Sequence, residues 1–347
     1  MALITALINS IKQLFTKSKQ NINTDSTETQ QLSPMSLGDR MKWYESLFNG
    51  HDFPGKYPQA PAKHAVRIPA GWPFEIDSYG SVPKDFYPVI RVDGHCFSTF
   101  TRKFKKPYDR TILDAMKAAT IALVDMFHAV VGYTQSDEIT IVLPKDCELF
   151  GRHCQKIASL ASSTAAVAFY DWLIHAGYVG KQPAFDARVF GLPSEDEVAN
   201  CIVWRERDAI KNSISNVARK FYSDKELHSK NSDDKLKMLS EKGYDFWNQT
   251  LSSFTRGMYI KRIVEERPYT PEELEKLPPL HQARTAPAGT VTITRSKFIP
   301  VYYPLITKIQ NLPDVLFRSE KPVLKEGSKL EYNFEQEGYS DPQDVTC

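Results

Sequence analysis

At 347 residues with 41% hydrophobic side chains, the chain can bury a substantial core, enough for one large domain or two small ones. Its formal charge of +2 spreads no basic field over the whole surface, so any grip on phosphates must come from local clusters. Five cysteines (96, 147, 154, 201 and 347) are odd in number and lack CxxC spacing, which argues against zinc or a disulfide framework and for a reducing compartment; no apolar run approaches a membrane span.

Residues 2–19 set Ile4, Leu7, Ile8, Ile11, Leu14 and Phe15 on one helical face, with Lys12, Lys17 and Lys19 and no acid. This fits a mitochondrial-type presequence, although arginine is missing; an amphipathic helix packed on the body or a disordered tail fits as well, and the default location is cytoplasmic. Asn21 to Ser36 is rich in Asn, Thr, Ser and Gln, a flexible linker. Residues 49–88 are rich in Pro and Gly and read as an ordered surface excursion, in which His51 and His64 have no acid or cysteine at ligand spacing.

The stretch from Tyr87 to Pro144 organises the chain. An apolar run through Val92 ends on Asp93-Gly94; Ile112, Met116, Ala119, Leu123 and Phe127 then recur at helical spacing. Two β-like runs follow, to Gln135 and from Glu138, joined at Ser136-Asp137. If the three strands lie side by side, Asp93 sits next to Asp137. Two carboxylates so placed repel unless a cation lies between them. Oxygen ligands of this kind suit Mg²⁺, and two such ions can clamp both oxygens of an in-line displacement at phosphorus. Taken singly, each aspartate is equally a turn residue.

Phe150 to Leu173 reads as a second long helix with a stripe of Ile157, Leu160, Ala161, Thr164, Ala168 and Trp172. Arg152 and Lys156, one turn apart near its start, could meet a triphosphate or form a solvated basic edge. Alternation returns at residues 184–190 as a fourth strand. The predicted fold class is therefore α+β, a βαββαβ ferredoxin-like unit with both helices on one face of an antiparallel sheet. Ser194 with Glu197 is a capping box, starting a helix to about Tyr222. On that helix Trp204 fills core, while Asn212 and Asn216 present two amides on one face, for RNA or for solvent. Residues 221–242 have the charge pattern of an exposed helix-loop-helix. Arg256, Lys261 and Arg262 form a concentrated cluster suited to a phosphate backbone. Pro is frequent from Glu265 onward, with a β-like run at Thr290 to Thr294, and the last twenty residues are expected to be poorly ordered.

Arg91-Val92-Asp93-Gly94-His95-Cys96-Phe97, Lys106-Pro107-Tyr108-Asp109 and Gly132-Tyr133-Thr134-Gln135-Ser136-Asp137-Glu138 resemble the tRNA(His) guanylyltransferase family. Phe185 to Val189 and Trp204 to Asp208 continue the match in the same order, so that it runs from about Leu37 to about Lys261. The resemblance implies a polymerase-like palm that extends RNA in the 3′-to-5′ direction. It implies two Mg²⁺ ions on Asp93, the Gly94 carbonyl and Asp137, with Glu138 as support. It implies triphosphate contacts from Lys106, Arg152 and Lys156, assisted by Arg91 and Ser136. ATP, GTP and other nucleoside triphosphates would be substrates, tRNA the partner, and a homotetramer the assembly. Residues 1–36 would be appended to a core at 37–265, followed by an extension at 266–347. In the Ile210 to Asn216 block the eukaryotic branch carries a histidine and a tyrosine that are missing here, and the chain resembles instead the bacterial-type branch that rebuilds truncated tRNA 5′ ends. Two rivals differ in class: a nucleotide cyclase, disfavoured by Gln135-Ser136 where a Gly-Gly is required, and a non-catalytic RNA-binding palm, disfavoured by the presence of both aspartates.

Overall fold

The computed structural model describes residues 36–49, 80–287 and 289–328. The stretch 2–19, the linker to residue 35, the excursion over 50–79 with His51 and His64, and the chain after residue 328 lie outside the described residues. The chain divides into two units, 1–40 and 41–347. Of the first, residues 36–40 are described. They start helix α1, Leu37–Asn49, where the Ser36 hydroxyl accepts the Asp39 amide.

The second unit is built on six strands: β1 Tyr87–Gly94, β2 Val131–Gln135, β3 Glu138–Val142, β4 Phe185–Leu192, β5 Met258–Pro268 and β6 Thr292–Val301. They form one antiparallel sheet in the order β4-β1-β3-β2-β5-β6. The helices of seven residues or more are α2 Arg110–Met126, α3 Cys154–His175, α4 Glu195–Ala218, α5 Ser232–Glu241 and α6 Leu312–Arg318.

Alternation sorts the strand residues into two unlike faces. Ile90, Val92, Ile139 and Ile141 share the face covered by α2 and α3, where all four are buried. Contact is close there: a Cβ on Gly132 would lie 2.6 Å from Val124 and 2.8 Å from Thr120 of α2, so only glycine fits. Phe185 of β4 meets Phe169 of α3 edge-on at 5.5 Å. The other face carries Arg91, Asp93, Tyr133, Glu138 and Tyr259, and residues 41–45 of α1 together with α4 lie against it. A polar face under helices is satisfied by pairing, as described below.

Several helix bounds differ from the sequence expectation for local reasons. Asp109 caps α2 by accepting the Thr111 amide at 2.9 Å. α3 starts at Cys154 rather than Phe150, because Phe150, Gly151 and Arg152 all have positive φ. Its buried residues step by four through Ile157, Ala161, Ala165, Phe169 and Leu173, whereas Trp172 is 44% exposed. By length and composition α3 could cross a membrane, contrary to the expectation that no segment approaches that length. In this fold it lays its stripe on β1 and β4. α4 begins at the expected cap, Ser194 Oγ accepting the Glu197 amide at 3.2 Å, and ends at Ala218. Ile214 and Val217 of α4 close a small satellite core with Leu239 and Phe246.

Residues 256–262, expected to be a surface cluster, are largely inside. Arg256 is 3% exposed and its guanidinium donates to Ser252 Oγ at 2.9 Å. Lys261, on β5, is 2% exposed, and its ammonium donates to the Leu316 carbonyl of α6. Neither is placed to meet RNA. Arg262 alone is exposed, its Nε donating to Ser296 Oγ of β6 at 2.8 Å. The run expected at Thr290 to Thr294 overlaps only the first three residues of the longer β6, which pairs with β5 from Tyr259–Val301 to Pro268–Thr292.

Candidate active site

β1 ends between β3 and β4, and its last two residues meet the β2–β3 turn. The Gly94 amide donates to the Asp137 carbonyl at 2.9 Å, which fixes the turn against the end of β1. Ser136 enters that turn with φ +50°, a left-handed conformation that Ser tolerates in a tight reversal. Glycine is required at 94 for a different reason: a Cβ there would fall 2.3 Å from the buried Phe97 ring. Phe97 anchors this corner by packing against Phe185 and Phe169.

Asp93 and Asp137 are thereby brought together, both half-buried. Burial raises the Asp93 carboxyl above its ordinary range, and the charges of Asp137 and Asp186 push it further. Asp186 lies directly across from Asp93 in the β1–β4 register. Burial likewise raises Asp137, opposed by a hydrogen bond from the Ser136 side chain. Both acids resist ionising in the bare protein, and a cation would relieve both. Among the described residues no group of three or more His, Cys, Asp or Glu side chains is arranged to hold a metal ion. The chemistry of the pair, two oxygen donors with neighbouring charges of like sign, is that of a hard cation such as Mg²⁺, which keeps several waters or takes substrate phosphates.

Behind the acids lies a buried charge network. Glu138, opposite Asp93 in the β1–β3 register, meets Arg205 of α4 at 2.6 Å, and Arg205 also holds Asp208 at 2.9 Å. Arg91 is paired with Glu45 of α1, and Trp204 lies 4.2 Å from the Arg205 guanidinium and 5.8 Å from that of Arg91. Burial pushes Glu138 up to about 7 despite the two arginines. Arg91 thus braces the strand from below and does not reach toward a nucleotide.

Beside Asp137 opens a cleft of about 280 Å³, of which Asp93 is not a wall residue. Its walls include Lys105, Lys106, Tyr108, Ser136, Asp137, Asn216 and Phe254, with Tyr108 and Phe254 in ring contact at 4.7 Å. Of the residues expected to touch nucleotide, Lys106 and Ser136 are here, joined by Asn216, expected to touch RNA. Arg152 is not: it is 3% exposed, and its guanidinium donates to the carbonyls of Lys84, Lys145 and Phe86, clamping the chain that leads into β1. Its positive φ takes it off the helix that would have aligned it with Lys156. Lys156 is exposed, over the Phe150 ring at 5.2 Å, and is no part of the cleft wall. Asn212 is exposed and donates to Asp208 at 3.2 Å. Lys105, Tyr108 and Phe254 were not anticipated; the signal for the first two was the Lys105-Lys106-Pro107-Tyr108 run, whereas Phe254 is far off in sequence and had none.

A family model described as tRNAHis guanylyltransferase matches residues 73–193. A bacterial tRNA(His) guanylyltransferase-like protein, solved in complex with ATP, superposes with a TM-score of 0.50 at 30% identity, covering 65% of this chain and 88% of that one. A probable tRNA(His) guanylyltransferase of Drosophila melanogaster is 35% identical over 153 residues, 42% of this chain and 52% of its own length, so that the match spans about half of that relative. An uncharacterised mimivirus protein is 28% identical over 224 residues, 56% of this chain and 75% of its own. These likenesses define a nucleotidyltransferase. The chain belongs to the tRNA(His) guanylyltransferase family.

Proposed function

We propose that the protein adds nucleotides to the 5′ ends of truncated tRNAs in the 3′-to-5′ direction, choosing each by pairing with the opposite strand. The observation that carries the reading is the meeting of Asp93 and Asp137, with Asp137 in the wall of a cleft that also holds Lys105 and Lys106. The βαββαβ part of the sheet, β1 to β4 with α2 and α3, is on this reading a polymerase-type palm. Asp93, Asp137 and the Gly94 carbonyl would hold two Mg²⁺ ions. When bound, the ions lower the pKa of the attacking hydroxyl and stabilise the leaving oxygens.

The remaining work falls to the chain itself. Lys105 and Lys106 draw the phosphates of ATP, GTP or another triphosphate into the cleft. The Tyr108–Phe254 pair offers an apolar wall on which a base can lie. Asn216 supplies an amide opposite Ser136 and Asp137. The 3′-hydroxyl of the incoming nucleotide attacks the activated 5′ phosphate of the tRNA, and pyrophosphate or AMP leaves. Held reactants and fixed charges account for the acceleration. A tetramer in the cytoplasm, or in mitochondria if residues 2–19 act as a presequence, completes the reading.

The name shared by the relatives favours a second reading, addition of a single guanosine to tRNA(His). Against it stands the Ile210 to Asn216 block, which lacks the histidine and tyrosine of the eukaryotic pattern. The test changes the template base opposite the first missing position of a 5′-truncated tRNA and sequences the product. We expect the added base to follow the template on several tRNAs. Guanosine added whatever the template, and only to tRNA(His), would establish the second reading.

A further inference from the structure

One strongly charged patch borders the cleft. Residues 101–110 carry Arg102, Lys103, Lys105, Lys106 and Arg110, all exposed, against one acid, Asp109, which is occupied in capping α2. In a chain whose formal charge is only +2, five cations in nine residues are a marked local excess. Lys105 and Lys106 line the cleft; Arg102 and Lys103 stand outside its wall. Beside them comes the loop that follows α3. Tyr178 stacks on Phe104 at 5.5 Å, with the ring planes 26° apart, and its hydroxyl donates to the Lys181 carbonyl at 3.4 Å. Phe104 in turn stacks on Phe100 at 6.0 Å. Lys181 is exposed, Phe104 and Tyr178 are half-buried, and the intervening Val179 is 96% exposed.

From this arrangement we infer that Arg102, Lys103 and Lys181, grouped around the Phe104–Tyr178 pair, form the ledge on which the RNA strand is held as its end enters the cleft. Cations interleaved with partly open aromatic rings are what a nucleic acid strand requires: phosphates meet the charges, and an unpaired base can stack. A free nucleotide is already provided for by Lys105 and Lys106 in the cleft wall, and Arg102, Lys103 and Lys181 are not wall residues. RNA carries a phosphate on every residue and can use both sets. The inference rests on the proposed reading in taking RNA as the substrate. It replaces the Arg256–Arg262 cluster, whose members are largely buried, as the phosphate-binding surface.

The test is the triple variant Arg102→Gln, Lys103→Gln, Lys181→Gln in the full chain. Binding of a 5′-truncated tRNA and of intact tRNA(His) is measured by fluorescence anisotropy at several salt concentrations, with ATP binding measured alongside. Each lost phosphate contact lowers the salt slope by roughly one. The variant is therefore expected to bind both RNAs about tenfold more weakly at 0.1 M salt, with a slope reduced by about two to three and ATP affinity unchanged. Independently, tRNA should shield Lys103 and Lys181 of the unaltered protein from acetylation, and ATP should not. Unchanged RNA affinity and slope, or a parallel loss of ATP affinity, overturns the ledge. Because only binding is read, that failure is distinct from failure of the repair reading, which the template experiment detects.

Discussion

At the scale of single residues, the site is built from groups held in states they resist. Asp93 and Asp137 both have carboxyls raised by burial. A carboxyl raised in the fold contributes its stability at low pH and loses it as pH rises through the raised value, so at pH 7 the paired charges weigh against the bare protein. Asp93→Asn removes that charge without changing shape. In EDTA it is expected to raise the unfolding temperature by roughly 1–3 °C, to lack the further rise expected of the unaltered protein in Mg²⁺, and to lose the proposed nucleotide addition. Differential scanning fluorimetry with and without Mg²⁺ reads the first two effects; an unchanged response to Mg²⁺ would remove Asp93 from the cation site. The meeting of the two aspartates was legible because each falls where an apolar strand stops. Arg152 misled for an equally physical reason. Spacing assumes a continuous helix, and three successive residues of positive φ break it before Cys154.

Among the elements, α4 shows most clearly what periodicity conveys and what it omits. Its end falls about one turn short of the expected Tyr222, and its cap follows from the sequence. That it faces the sheet through charges rather than apolar side chains does not, since Arg205 and Glu138 are 67 positions apart in the chain. Glu45 of α1 and Arg91 of β1 are separated by 46. No local pattern marks such partners, and a lone Arg or Glu in a helix reads as solvated. The Glu138–Arg205 joint predicts a pH dependence. Glu138 is raised from 4.5 to about 7, so its contribution is full below pH 4.5 and lost as pH rises through about 7. In EDTA the protein should therefore resist urea better at pH 5.5 than at pH 8, by at most about 3 kcal/mol. Glu138→Gln should flatten that difference while Arg205 keeps Asp208. An equal pH dependence in the variant would place the titrating group elsewhere.

For the molecule as a whole, the decisive contacts come from beyond the second strand pair. The buried Glu206 carboxylate accepts the Tyr259 hydroxyl at 2.8 Å and the Ile306 amide at 3.2 Å. Lys261 reaches Leu316, and Arg318 holds Glu195 at 2.9 Å, near where Phe317 meets the Tyr87 ring. Burial alone lowers Lys261 to about 8, so the ammonium depends on its carbonyl partner. Deleting everything after Val301 strands the Lys261 charge and takes the Ile306 amide from Glu206, which keeps the Tyr259 hydroxyl. It is expected to cost about 3 kcal/mol or more in urea unfolding. Lys261→Met in the full chain, which removes the charge and its need together, should cost less than about 1.5 kcal/mol. The same deletion made in the Lys261→Met background should then cost less than in the unaltered chain; an equal cost in both backgrounds would show that packing of α6, rather than stranded charge, is at stake.

The same contacts set an order in time. A chain is made from its first residue onward, and its earlier parts fold first as they emerge. β1 to β4 and the aspartate pair are all synthesised by residue 192, long before Ile306 and Leu316 exist. Until Leu316 exists Lys261 is a charge awaiting its partner, and until residues 292–301 are made β5 has no strand along its outer edge. An unpaired edge of that kind is an invitation to a neighbouring chain. On the ribosome, then, the chemistry is laid down early and the protection late, and the interval between them is when the nascent protein has most need of a chaperone.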